Sequence, residues 1–176
     1  MGRDVLKTGA YVDGFLVGEK LHVGGMASLW RVTRDDIDFP IVLKTPLILD
    51  GDDATAIVGF EMEQMILPQL SGPHAPRCVA VGDFSRQPFL VMEYVEGTSL
   101  LPEFEGAPLT VERVREIGAK VATALGALHR QHVIHLDIKP SNIILRASGE
   151  AALIDFGLSR HEELPDLLAE EFRLPM

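Results

Sequence analysis

A change of periodicity near the middle of the chain limits its folds more than any other feature. Up to about residue 97, apolar runs of strand length alternate with turn signals: "YVDGFLVGEKLHVGG", "SLWRVTRDD", "FPIVLKTP", "CVAVGDF" and "PFLVMEYVEG". From residue 110 to 131 the pattern is helical, with Val114, Ile117, Val121, Leu125 and Leu128 in one stripe and Thr110 as N-cap. Strands first and a long helix second predict an α+β fold. Residues 97–108 carry Gly, Pro and Ser and read as the connector between the two parts.

One helix interrupts the strand-rich part. In "TAIVGFEMEQMILPQL" the residues Phe60, Leu67 and Leu70 share a face, and Glu63 falls on that face, where a carboxylate needs a partner. Pro68 should end or kink this helix, with Leu70 just beyond it. After the long helix come the short apolar runs "VIHL", "NIILRA" and "AALIDFG", the last two joined by the hairpin-type turn "ASGE". The acidic stretch "HEELPDLLAEEF" reads as a solvated or mobile tail. No internal repeat or low-complexity segment is present.

Composition enters as an exclusion. With 176 residues, 47% hydrophobic and 24% charged, the chain can bury a core as one domain or two small lobes. A net charge of −10 without clustered Lys and Arg argues against a nucleic-acid surface, so any anionic ligand has to be met locally. The single cysteine, Cys78, rules out an intrachain disulfide framework, fits a reducing compartment and reads as a small core residue. The N-terminus has no apolar signal region, and no stretch approaches the roughly 18 apolar residues of a membrane span. A cytoplasmic chain without a membrane span is the expectation.

The chemistry concentrates in "HLDIKPSNIIL", residues 135–145, where polar groups crowd the mouth of a strand. "LIDFG" at 153–157 adds a second aspartate after an apolar run, so that two acids end two strands that the reading pairs with each other. Asp137 and Asp155, with Asn142 between them, supply the oxygen ligands that Mg²⁺ prefers, and Lys139 adds a positive charge. This is a phosphate site in outline. A turn aspartate after a strand is commonplace, and the joint spacing carries the argument.

"HLDIKPSN" and "DFG" resemble the catalytic loop and metal-binding motif of eukaryotic-type (Hanks-type) protein kinases, particularly the bacterial serine/threonine kinases. Other elements stand in the family's order: "LHVGGMASLWRV" resembles the glycine-rich nucleotide loop, "IVLK" the lysine strand, "FEMEQMIL" the helix of the paired glutamate, and "FLVMEYVEG" the hinge. The resemblance runs from about residue 14 to 160. It implies a two-lobed kinase-like fold, with an antiparallel β N-lobe and its paired helix at 1–97 and a partial, helical C-lobe at 98–176.

The implied activity is phosphoryl transfer from Mg²⁺-bound ATP to a Ser or Thr hydroxyl of a protein substrate. By the same resemblance Asp137 orients the hydroxyl and takes its proton, Lys139 steadies the γ-phosphate, and Asn142 with Asp155 holds Mg²⁺. Lys44 contacts the α- and β-phosphates and Glu63 holds it. Each of these two charges stands in apolar surroundings and would neutralise the other. Gly24 and Gly25 bring backbone N–H groups to phosphate oxygens. Glu93 and Val95 offer a backbone carbonyl and amide to adenine, Met92 guards the rear, and Leu21, Leu29, Val42 and Ile144 form apolar walls that equally suit a core. His135 reads as a packed structural histidine with Phe156 against it.

Several positions depart from the pattern. His22 and Ala27 replace the first and third loop glycines, and Val42 replaces a small alanine, which narrows the adenine slot. Leu136 replaces the arginine that binds a phosphorylated activation loop, and Ser159 is the only hydroxyl from Asp155 to Met176, so activity without activation-loop phosphorylation is expected. The chain ends before the "APE"-type segment, as a truncated catalytic domain would, which predicts exposed apolar surface on the 110–131 helix for a partner or a missing C-terminal region. Two other readings stay open: a small-molecule kinase of aminoglycoside or choline type, and a silent kinase-like ATP-binding module. Lys139 and the "DFG" wording favour the protein kinase over the first, and the joint presence of Lys44, Glu63, Asp137, Asn142 and Asp155 argues against the second.

Overall fold

The computed structural model describes residues 6–23, 27–47, 54–83, 88–106 and 108–171. Contacts divide the chain into two units, residues 1–52 with 78–94 and residues 53–77 with 95–176.

The first unit is an antiparallel sheet. Its strands are β1 (Tyr11–Val12), β2 (Phe15–Val23), β3 (Ala27–Thr33), β4 (Ile41–Pro46), β5 (Cys78–Gly82) and β6 (Phe89–Glu93), in the order β1-β2-β3-β4-β6-β5. Asp13 and Gly14, both at positive φ, make the tight β1–β2 turn that an Asp-Gly pair favours. Strand alternation sends Phe15, Val17, Trp30, Val32, Leu43 and Val91 into one buried cluster. The registers Leu29↔Lys44↔Leu90 and Arg31↔Val42↔Met92 put those residues on the opposite face. A register shift between Lys20 and His22 interrupts the alternation of β2 at Leu21.

The second unit contains α1 (Ala54–Ile66), which ends in a 3₁₀ turn at Leu67–Gln69 carrying Pro68. Hydrogen bonds from residues 71–74, just beyond that turn, tie the helix to the later half of the chain. Gln131 accepts from the Ser71 N–H (2.8 Å), the Arg146 Nε–H donates to the Pro73 carbonyl (2.8 Å), and the Leu153 N–H donates to the His74 carbonyl (2.9 Å). His74 Nδ1 also pairs with the Ala151 carbonyl (2.8 Å). These bonds have partners tens of residues away, and no local pattern announces them.

The connector expected at 97–108 is a correction, because it holds β7 (Gly97–Ser99) and a short helix α2 (Leu101–Glu105). β7 pairs with β9 (Ile143–Arg146), which pairs in turn with β10 (Ala151–Leu153). Arg113 grips α2 through both oxygens of Glu103 (2.5 and 2.8 Å). That guanidinium sits on α3 (Val111–His129), where Thr110 accepts from the Arg113 N–H (3.2 Å) as the expected cap. The helix buries Ile117, Ala124 and Leu128, and Val114, on the same face as Ile117, is 53% exposed.

Two further corrections concern the end of the chain. β8 (Val133–Ile134) pairs with β11 (Arg160–His161), so the strands ahead of Asp137 and Asp155 are not partners of each other. The acidic stretch is not a loose tail over its described residues: it starts at the end of β11 and contains α4 (Leu167–Glu171), and both elements pack on α1. His132 Nδ1 meets the Glu162 carboxylate (2.8 Å), and Arg160 meets Asp166 (2.7 Å). Among the described residues, no helix is long and apolar enough to cross a membrane.

Candidate active site

The polar residues at the strand mouth satisfy one another. Lys139, ahead of Pro140, is extended, as a residue preceding proline tends to be, and the 3₁₀ turn Pro140–Asn142 then swings Asn142 back toward Asp137. The Asn142 Nδ2 group donates to the Asp137 carbonyl (3.0 Å) and to Asp137 Oδ2 (2.9 Å). Both partners are acceptors only, so the amide nitrogen faces Asp137 and Oδ1 is turned away from it. Lys139 Nζ donates to the same Oδ2 (2.7 Å), and this bond raises the Lys139 pKa above the ordinary lysine value. One carboxylate oxygen of Asp137 thus takes a fixed amide and an ammonium.

Beneath the loop lies a hub in which each group restrains the next. The His135 side chain is 1% exposed, and its ring lies 4.9 Å from that of Phe156. Its Nδ1 accepts from the Asp137 N–H (3.3 Å), so Nε2 must carry the proton that goes to the Ile154 carbonyl (3.1 Å). Burial lowers the His135 pKa, against weaker upward effects of the Ile154 carbonyl and nearby acids. The Ser159 hydroxyl donates to the His135 carbonyl (2.9 Å) and is fully buried. The Phe156 N–H donates to Glu63 Oε1 (3.3 Å), which gives a carboxylate only 1% exposed one of its partners. Leu136 and Asp155 hold positive φ, 62° and 67°, a conformation costly for leucine that this network sustains.

The donor set fits a hard cation. The Asn142 carbonyl accepts from the Ile154 N–H (3.0 Å), so the amide oxygen of Asn142 and the carboxylate of Asp155 are carried by adjoining ends of the β9–β10 ladder. Among the described residues, no group of three or more His, Cys, Asp and Glu could hold a metal ion. A Mg²⁺ bound by one or two protein oxygens completes its shell with phosphates and water, and so needs no larger cluster.

The remaining expected residues divide between the two units. Leu29, Val42, Lys44 and Met92 share the sheet face opposite the core cluster of the first unit; Val42 is buried and the other three half-buried. Leu21 stands at the irregularity of β2, and Glu93 ends β6. Val95 and Ile144 belong to the second unit, Ile144 paired with Ser99 and Ala152. Gly24 and Gly25 lie outside the described residues. Cys78 is half-buried, and burial pushes its thiol up to about 11. Sequence reasoning did not anticipate Ser159 as a strut or Gly59, whose backbone meets Gly157. An isolated glycine within a helical pattern was the available signal for the second.

A profile of the family described as "Protein kinase domain" matches residues 15–171. The serine/threonine-protein kinase PknL of Mycobacterium tuberculosis is 31% identical over 159 residues, which are 90% of this chain and 40% of that protein. PknK of the same organism is 36% identical over 84% of this chain and 13% of its own length. The probable serine/threonine-protein kinase PknB of Lactococcus lactis is 28% identical, and the chain spans 24% of it. Among solved structures, the M. tuberculosis PknI kinase domain aligns with a TM-score of 0.69 at 26% identity, over 87% of this chain and 63% of that one.

Proposed function

The chain belongs to the protein kinase domain family, and from that premise we propose that it transfers the γ-phosphoryl group of Mg-ATP to a serine or threonine hydroxyl of a protein. The observation that carries the reading is the Asp137 carboxylate, held at Oδ2 by Asn142 (2.9 Å) and Lys139 (2.7 Å). Phosphoryl transfer asks for positioning and charge neutralisation more than for covalent chemistry. Asp137 orients the hydroxyl and accepts its proton, and Lys139 steadies the transferred group. Asn142 and Asp155 hold Mg²⁺, which when bound neutralises charge on the phosphate oxygens. Lys44 binds the α- and β-phosphates, with the Gly24 and Gly25 amides as further donors. Leu29, Val42 and Met92 give the sheet an apolar face for adenine. In this division of labour residues 1–97 serve the nucleotide and 98–176 the transfer step, in a cytoplasmic setting that supplies ATP and reduced thiols.

Thermal melting with and without Mg-ATP, followed by transfer of labelled phosphate to a protein or to small alcohols, tests the reading. A ligand at about 100 times its Kd stabilises the native state by ~2.7 kcal/mol. The shift should vanish in Asp155→Ala. Asp137→Asn should keep it and lose about 10²–10⁴-fold in transfer rate. Label on small alcohols alone would indicate a small-molecule kinase. A shift without transfer, unaltered in Asp137→Asn, would indicate a silent module.

A further inference from the structure

Gly59 lies in the interior of α1, one turn before Glu63, where a glycine costs helix stability relative to alanine. Its environment supplies the reason. A Cβ added at Gly59 would stand 3.2 Å from the Gly157 carbonyl oxygen, and one added at Gly157 would stand 3.2 Å from the Gly59 carbonyl oxygen. The helix backbone and the backbone of the Asp155–Phe156–Gly157 turn therefore approach each other through two residues that lack side chains. One turn further along the same helix, Glu63 Oε1 accepts the Phe156 N–H (3.3 Å). The added Cβ at Gly157 would also come within 3.7 Å of Asp155 Oδ1, so the close approach lies beside the carboxylate itself.

We propose that Gly59 is a positioning residue for the Asp155 carboxylate: its missing side chain lets α1 seat against Gly157, and that seat sets where Glu63 takes the Phe156 N–H. An alanine at 59 suits the helix better but forces the Gly157 carbonyl outward by a few tenths of an ångström, and in a close-packed site the shift passes to its neighbours. Phe156 is fully buried and held against His135, while Asp155 before it and Leu158 after Gly157 are exposed, so the displacement is taken up at the flanks of the turn, the Asp155 side among them. The consequence for Mg²⁺ rests on the kinase reading of Asp155, whereas the seating of the turn does not.

Amide hydrogen exchange on the nucleotide-free chain tests the seating, with Gly59→Ala set against Gly118→Ala. Gly118 is also an interior helix glycine, on α3, but nothing lies within 4 Å of an added Cβ. The Phe156 amide should exchange about tenfold faster or more in Gly59→Ala, with α3 amides within about twofold of wild type, and Gly118→Ala should leave Phe156 unchanged. Equal Phe156 rates in Gly59→Ala and wild type overturn the proposal. If Gly59→Ala alone does not fold, the comparison is made in the Gly118→Ala background, which gains helix stability.

The second readout is the Mg²⁺ dependence of ATP binding. Half-saturating Mg²⁺ should rise about fivefold or more in Gly59→Ala while ATP binding without Mg²⁺ stays within about twofold. A protein that was merely destabilised would lose both alike. Unchanged Mg²⁺ half-saturation, in a wild type that binds Mg-ATP, would overturn the positioning role. Faster Phe156 exchange in a chain whose wild type binds no Mg-ATP would uphold the seating and remove the nucleotide reading instead.

Discussion

The Asp137, Lys139 and Asn142 group is tight because its members are close in sequence and the bend at Pro140 turns the last back onto the first. That locality made it legible from residues 135–145 alone. His135 was equally legible as a packed residue, but its protonation state needed its two partners. The neutral Nε2–H form satisfies both the Asp137 N–H and the Ile154 carbonyl, and burial lowers the pKa below the ordinary histidine value near 6.5. The unfolded chain therefore binds a proton that the folded chain refuses. Stability from this residue is complete above about pH 6.5 and is lost as pH falls toward the lowered value, by at most ~1.4 kcal/mol per pH unit. His135→Gln keeps one donor and one acceptor without titrating. Melting followed from about pH 7.5 to about pH 5 should fall more steeply in wild type than in His135→Gln, and parallel curves would contradict the assignment.

At the scale of elements, β7 shows how tertiary pairing can override a local signal. Gly97, Thr98 and Ser99 have turn-forming composition, yet they pair with Arg146, Leu145 and Ile144. Gly97 is required there, since an added Cβ would overlap the Leu145 carbonyl oxygen and press on Ile144 Cγ2. Gly97→Ala should cost roughly 1–3 kcal/mol in urea unfolding. A midpoint unchanged from wild type would mean that β7 can shift freely. For α3 the signal and the outcome agree. Thr110→Ala removes the acceptor for the Arg113 N–H and should cost ~1 kcal/mol in the same titration, while Thr110→Asp should retain most of it. The stripe on this helix was legible as a face, but its burial fades at Val114, because periodicity gives a face and not how far along its length a neighbour reaches.

At the scale of the whole molecule, α1 lies in sequence between β4 and β5 but groups with residues 95–176. Its ties are the bonds from Ser71, Pro73 and His74 to Gln131, Arg146, Ala151 and Leu153, together with the packing of β11 and α4 on the helix. Native-state hydrogen exchange should therefore find the amides of α1 opening with α3 and β10, at a free energy different from that of β4 and β6. Opening of α1 together with its sequence neighbours β4 and β5 would contradict the division. The same ties order the acidic segment after Gly157. Its one hydroxyl, Ser159, is fully buried on the His135 carbonyl, which keeps it from a modifying enzyme while the hub is closed.

Residue chemistry and periodicity by themselves determined the α+β class, the sheet strands of the first unit, the two long helices and the Thr110 cap, and the family resemblance added the grouping of Asp137, Lys139, Asn142 and Asp155 in motifs of the kinase order. Each of these depends on neighbours within a few residues, which a linear reading contains. Only the tertiary structure decided that β8 pairs with β11, that the acidic segment packs on α1, that Leu29, Val42, Lys44 and Met92 face away from the first unit's core cluster, and that Gly59 meets Gly157. Such contacts join residues far apart in the chain and are chosen by packing and by hydrogen-bond completion. No local pattern carries that information.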